Sequence, residues 1–279
     1  MEPMSLLSPI IAAANAANVE RPGDYIEAGL LHCGTCHTPK QTRRNLLGRE
    51  MVIGCLCQCA TEARDREETA RRQREEADRI MRLRSSGIAS QEFRTASFST
   101  DDGLSPAPMG ILRRYAANWA QAYRDNVGLL LWGGVGTGKS FGAACIANTL
   151  IDQSIPACMI NLSSVLNTLT SFQGNRNDYI QELMQYPLLI LDDFGMERRT
   201  EFATEQTFNL IDERYRSGKP LIVTTNLSMT ELKTPASLEL SRCYDRILEM
   251  CVPVGFGSQG RRQKKAEAKM QRAAEFLLG

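Results

Sequence analysis

The sequence predicts an α/β protein, a mostly parallel sheet between helices, preceded by a small cysteine-rich module and a charged helical linker. Three observations carry that expectation. From about Arg94 onward, short apolar runs alternate with helical patterns, which is how a parallel sheet covered on both faces reads. One apolar run passes directly into a glycine-rich stretch, Gly133–Ser140, that opens a helix. Five of the nine cysteines crowd into Cys33–Cys59, ahead of the alternating region.

Residues 1–59 hold an apolar leader and the cysteine cluster. Met1–Val19 contains no basic residue, and its longest apolar run is too short to span a bilayer. Neither a signal peptide nor a membrane partner is expected, and the default location is cytoplasmic. Residues 60–92 form the linker, and 60–84 are nearly all charged or alanine. Acids precede bases by four at Glu62/Arg66, Glu67/Arg71, Glu68/Arg72, Glu75/Arg79 and Asp78/Arg82. That spacing supports a solvated helix, at about 0.2–0.5 kcal/mol per pair.

Residues 93–279 form the main domain. Its expected strands are Leu129–Trp132, Ala157–Ile160, Leu188–Leu191, Leu221–Thr225 and Cys251–Val254. The expected helices are Ser140–Ile151, Ser163–Phe172, Thr204–Arg216 and Ser237–Glu249. With 43% apolar residues, 23% charged and a net charge of +1, the chain is an ordinary globular protein whose bulk charge selects no partner. An odd, clustered set of cysteines argues against a disulfide framework. The scattered Cys145, Cys158, Cys243 and Cys251 sit in apolar segments and read as small buried side chains.

The chemistry is carried by four constellations in the main domain and one ahead of it. Gly133, Gly134, Val135, Gly136, Thr137, Gly138, Lys139 and Ser140 match G-x-x-x-x-G-K-[ST] between a strand and a helix, the context that a phosphate-binding loop needs. Glycines let backbone N–H groups curl around phosphate oxygens, and the helix N-terminus adds its dipole. Lys139 is expected to reach the β- and γ-phosphates of ATP and Ser140 to ligate Mg²⁺. Asp192 and Asp193 end the run Leu188–Leu191, which puts two acids in the crevice at the carboxyl end of a sheet strand. Asp192 is expected to hold Mg²⁺ and Asp193 to polarise an attacking water. Asn226 follows the run Leu221–Thr225 and could bond the γ-phosphate or that water. Arg242 and Arg246 lie four apart on one expected helix, and an arginine beside a transferred phosphoryl group stabilises developing charge.

Cys33-Gly-Thr-Cys36 and Cys55-Leu-Cys57-Gln-Cys59 supply thiolates for a tetrahedral Zn²⁺ site. Three downstream cysteines compete for two places, with His32 and His37 as possible substitutes. Cys33, Cys36, Cys55 and Cys57 are taken as the ligand set.

The runs GGVGTGKS, LLILDDFGMER and VTTN, in that order, resemble the DnaC/DnaI-type replicative helicase loaders, AAA+ P-loop ATPases related to IstB-type transposition helpers. The likeness covers about Phe93–Arg262, and Asp192–Glu197 is its most specific part. It implies an AAA+ core acting as a homo-oligomer, in which an arginine from the next subunit completes the ATP site, at the position of Arg246. It implies a sensor arginine at Arg262 or Arg261. It also implies single-stranded DNA and a replicative DNA helicase as partners, with a zinc-binding N-terminal module docking on the helicase. Phe98 is similar to the segment that packs on adenine in such ATPases. An IstB-like helper is the nearest rival reading. Against a small-metabolite kinase, the sequence shows no arginine-rich lid and no acceptor-binding motif after the phosphate loop, and a vestigial adaptor is at odds with intact Lys139, Ser140, Asp192 and Asp193.

Overall fold

The continuous apolar runs of the main domain are explained by where alternate residues go. The computed structural model describes residues 19–46, 48–171, 175–196, 200–235 and 237–257, together with 270, 273, 274 and 277. The chain divides into two compact units, Met1–Ala77 and Asp78–Gly279.

In the first unit, β1 (Tyr25–Glu27) pairs with β2 (Leu30–His32), and β3 (Gln41–Leu46) with β4 (Arg49–Gly54), each as an antiparallel hairpin. Glycines at positive φ, Gly29 and Gly48, make the turns. Among the described residues of this unit only Leu31, Cys33 and Cys57 are buried apolar side chains. A buried ion pair supplements them. Lys40 Nζ donates to Asp24 Oδ2 at 2.5 Å and to the Val19 carbonyl at 2.7 Å, while Asp24 also accepts from the N–H groups of Arg21 and Gly34. The Lys40 contact, followed by the two N–H groups, draws the Asp24 carboxyl down to about 2. Helix α1 (Gln58–Gly87) then runs 30 residues. Of the five pairs read from the sequence, Glu68–Arg72 closes at 2.6 Å, and Arg71–Glu75 is added at 3.8 Å.

The second unit is built on a five-stranded sheet. After α2 (Pro106–Ala117) and α3 (Trp119–Arg124) come β5 (Gly128–Gly133), α4 (Lys139–Ile151), β6 (Ala157–Asn161), α5 (Leu162–Ser171) and α6 (Arg176–Gln185). Then follow β7 (Leu188–Phe194), α7 (Glu201–Arg216), β8 (Leu221–Thr225), α8 (Met229–Lys233), α9 (Leu238–Met250) and β9 (Cys251–Phe256). All strands are parallel, in the order β6-β7-β8-β5-β9. Leu129, Leu131, Leu188, Ile190 and Ile222 pack into one apolar cluster with α2 and α4, while Leu130, Leu189, Leu191, Leu221 and Val223 pack into a second with α5, α7 and α9. Both faces are covered, so neighbouring residues on a strand are equally apolar and no alternation shows. All five expected strands form, β8 with the expected bounds and the others longer. Helices α2, α3, α6 and α8 were not among those expected.

Each edge of the sheet is treated differently. Beside β6, Ile88 makes a parallel bridge to Met159, and the Ala89 N–H donates to the Met159 carbonyl at 3.2 Å. At the other edge β9 carries Pro253, in register with Leu130. At the amino ends of β7 and β8, Arg214 is fully buried and donates to the carbonyls of Tyr186, Pro187 and Pro220. Burial draws this guanidinium down to about 10. Among the described residues no helix is long and apolar enough to cross a membrane.

Candidate nucleotide site and thiolate cluster

The glycine-rich stretch forms the loop that joins β5 to α4. Gly133 has φ +140, and a Cβ there would lie 2.3 Å from the Phe256 carbonyl oxygen. Gly136 (φ +75) and Gly138 (φ +100) take left-handed backbone, and Gly138 caps α4. The loop is held in shape from within. Lys139 is 5% exposed, and its Nζ donates to the carbonyls of Gly133 (2.8 Å) and Gly134 (2.7 Å) and to Asn226 Oδ1 (2.9 Å). Thr137 Oγ1 donates to the Gly134 carbonyl at 2.9 Å, and Val135 is exposed at the rim.

Sheet order brings the other groups in. Strand β8 lies between β5 and β7, so Asn226, just beyond β8, sits beside Lys139 and lines the same cleft as Asp193. In a regular strand Asp192 and Asp193 would point to opposite faces. Here the β7–β8 register shifts between Leu191 and Phe194, and Asp193 has φ +56. A left-handed aspartate costs backbone energy and persists where its surroundings fix it. One hydroxyl does much of that fixing: Thr224 Oγ1 accepts from the Asp193 N–H at 3.0 Å and donates to Asp192 Oδ1 at 2.6 Å. Asn161, at the end of β6, donates to Asp193 Oδ2 at 3.2 Å. Burial raises the Asp192 pKa above the usual carboxylate value, against hydrogen bonds from Thr224 and Ser140. Asp192 with Ser140 offers the oxygen ligands a Mg²⁺ ion takes, and the Lys139 ammonium with the α4 N-terminus suits a phosphate chain.

Lys139, Ser140, Asn161, Asp193 and Asn226 line a cleft of about 770 Å³, a size that suits a nucleotide, whereas Asp192 is not among its lining residues. Its opposite wall is Glu92, Phe93, Thr95, Ala96, Thr100 and Asp102. Phe98, expected against the base, is not among the lining residues; its ring packs on the core and carries the Arg113 guanidinium at 5.4 Å. The wall is positioned by Asn148 on α4, whose Nδ2 donates to the carbonyls of Phe93 (2.8 Å) and Ala96 (2.9 Å).

Arg246 lies elsewhere. On α9, it pairs with Asp212 Oδ1 of α7 at 2.6 Å and sits 4.5 Å from the Tyr215 ring centroid. It is not among the residues lining the cleft. Arg242, one turn earlier, is exposed. Arg261 and Arg262 lie outside the described residues.

In the first unit the thiol groups of Cys33, Cys36, Cys57 and Cys59 lie within 4.8 Å of one another, an arrangement that could hold a metal ion. Cys59 therefore replaces Cys55 in the expected set. The reason is helical winding. Cys57 precedes α1 and Cys59 lies in its first turn, which folds Cys59 Sγ back to 3.3 Å from Cys57 Sγ and 3.6 Å from Cys33 Sγ. Cys55 instead directs its thiol to the Pro39 carbonyl at 3.5 Å. His32 and His37 pack against Tyr25. The Cys33–Cys36 turn is closed by the His37 N–H donating to the Cys33 carbonyl at 2.9 Å. The Thr38 hydroxyl, ahead of other contacts, draws Cys36 down to about 5, whereas Cys57 and the other crowded thiols push Cys59 up to about 12. Four sulfur ligands on a turn and a helix start fit Zn²⁺. No sequence motif marked Asn161 or Asn148, and Thr224, though part of the VTTN run, was assigned no role.

Comparison with known proteins agrees with this geometry. Residues 58–268 match the profile of the IstB-like ATP binding proteins. An ATP-binding protein of an insertion sequence in Mycobacterium tuberculosis is 30% identical over 67% of this chain and 69% of its own length. The replicative helicase loader DnaI of Bacillus subtilis is 22% identical over 62% of this chain, and the match spans 60% of DnaI. The crystal structure of the DnaC helicase loader superposes with a TM-score of 0.51 at 22% identity, covering 60% of this chain and all (100%) of that one. This likeness is one of fold. The cleft of nucleotide size behind a G-x-x-x-x-G-K-[ST] loop, and a profile match across most of the chain, have one conclusion: the protein belongs to the IstB-like ATP-binding family and shares its fold with the DnaC and DnaI loaders.

Proposed function

We propose that the protein is an ATP-hydrolysing loader that places a replicative DNA helicase on single-stranded DNA. The observation that carries this reading is the pairing of a cleft behind a G-x-x-x-x-G-K-[ST] loop with a separate cluster of four thiols in the first unit. Residues 1–59 form a zinc module that docks on the helicase, 60–92 the helical linker and 93–279 the ATPase. In the site, Lys139 holds the phosphates, Ser140 and Asp192 hold Mg²⁺, Asp193 activates water and Asn226 orients it. Arg246 leaves Asp212 to complete the site of a neighbouring copy, so the active state is a homo-oligomer. Arg262 senses the nucleotide. The work is done in the cytoplasm, without a membrane partner.

Three measurements test the scheme. Lys139→Ala should lose nucleotide affinity, whereas Asp193→Asn should bind ATP and hydrolyse it slowly; equal loss of binding in both would overturn the Asp193 role. Arg246→Ala should bind ATP and not turn it over, and mixing it with Lys139→Ala should restore part of the rate. An arginine supplied between subunits contributes roughly 10³–10⁵ in rate, so specific activity should rise with protein concentration. The loader role is tested by transferring purified replicative helicase to circular single-stranded DNA with ATP. A second reading, a transposase helper, is favoured by the 30% identity to the insertion-sequence protein. Stimulated transposase with no helicase transfer would establish it in place of the first.

A further inference from the structure

The cleft has two ends of different chemistry. Lys139, Ser140, Asp193 and Asn226 mark the phosphate end, while Glu92, Phe93, Thr95 and Ala96 form the other wall, where a flat base with polar edges would lie. That wall belongs to a short 3₁₀ segment, Gln91–Thr95, whose N-cap side chain makes no capping bond. Its position is set by α4 and by the end of α1.

The fastening is a chain of hydrogen bonds. Asn148 is 5% exposed. Its Nδ2 donates to the carbonyls of Phe93 and Ala96, and its Oδ1 accepts from Arg84 Nε at 3.0 Å. Arg84, in the last turn of α1, also pairs with Asp152 at the end of α4. Arg94, within the wall itself, donates back to the carbonyls of Ile88 (2.9 Å) and Ser85 (3.1 Å). Asn148 lies on the same helix that the phosphate loop opens. It therefore fixes the distance between the phosphate end and the base end, and Arg84 fixes Asn148.

We propose that Asn148 and Arg84 are positioning residues for the nucleoside half of ATP, so that affinity for the base depends on the last turn of α1 while affinity for the phosphates does not. The inference rests on ATP occupying this cleft. Removing Nδ2 takes the side-chain donor from both wall carbonyls and leaves that of Phe93 with the Ala96 N–H alone. The wall then moves relative to a loop that remains intact.

The test compares two probes, ATP and inorganic triphosphate with Mg²⁺, on the full chain. Asn148→Leu keeps the side-chain volume and Arg84→Met keeps the aliphatic stem at a half-exposed position. Each should weaken ATP binding about tenfold or more, the scale of one or two lost hydrogen bonds, and leave triphosphate affinity within about twofold. KM for ATP should rise with kcat retained. Parallel loss of both probes, or unchanged ATP affinity in Arg84→Met with its thermal transition intact, overturns the proposal. Failure of the unaltered protein to bind ATP would instead overturn the nucleotide site on which it rests.

Discussion

The two units are stabilised by different physics. Asp78–Gly279 buries both faces of a five-stranded sheet against helices, with residues such as Leu130, Leu131, Ile146 and Ile190 fully enclosed. In Met1–Ala77 the described residues bury almost nothing apolar, and what converges is charge and sulfur: Asp24 with Lys40, and four thiols at one point. The first kind of unit tolerates loss of a contact because many share the burden. The second has few interactions and each is close to indispensable.

Breaking the comparison at its weakest side should give the largest effect. Metal analysis should return about one zinc per chain, and chelation should unfold the hairpins of the first unit while ATP binding persists. Cys33→Ser and Cys59→Ser should each do the same, whereas Cys55→Ser should keep the metal. Metal retained in Cys59→Ser and lost in Cys55→Ser would refute the assignment made from the thiol positions. Next come truncations in the large core. Ile146→Ala should cost about 2–5 kcal/mol, lowering only the second unit's thermal transition. Arg214→Met should follow, at about 1–3 kcal/mol, because it removes the donor to the buried Pro220 carbonyl and to the partly buried carbonyls of Tyr186 and Pro187. Smallest of all, Glu68→Ala on the solvated part of α1 should change stability by about 0.5 kcal/mol or less, measured by denaturant titration.

The same contrast governed what could be read in advance. Strands β5 to β8 were legible because both their faces are largely buried, which leaves an unbroken apolar run and a clear boundary; β9, at the edge with Val252 and Pro253 exposed, showed a shorter run. Strands β1 to β4 were not, since QTRRNL shows neither alternation nor an apolar run and REMVIG only a run of three; their pairing comes from short local turns. The phosphate loop and the two aspartates were legible because their spacing is local. The choice between Cys55 and Cys59 was not, because spacing alone does not say where a helix begins. Asn148 escaped for a related reason. An asparagine inside a helical run announces no role until the carbonyls it serves are brought to it from Phe93 and Ala96. Phe98 was expected near the base on resemblance alone, and the 3₁₀ turn that presents Phe93 to the cleft has no sequence signature.

One consequence follows from how the sheet ends. Parallel sheets with open edges invite another strand, and with it fibrous association. Here the β6 edge is occupied by Ile88 and Ala89, and the β9 edge holds a proline that has no N–H to offer an incoming chain. Neither border suits strand addition. Copies of this protein that assemble would meet through helices and loops, contacts that can be made and released, rather than by fusing their sheets into a continuous ladder.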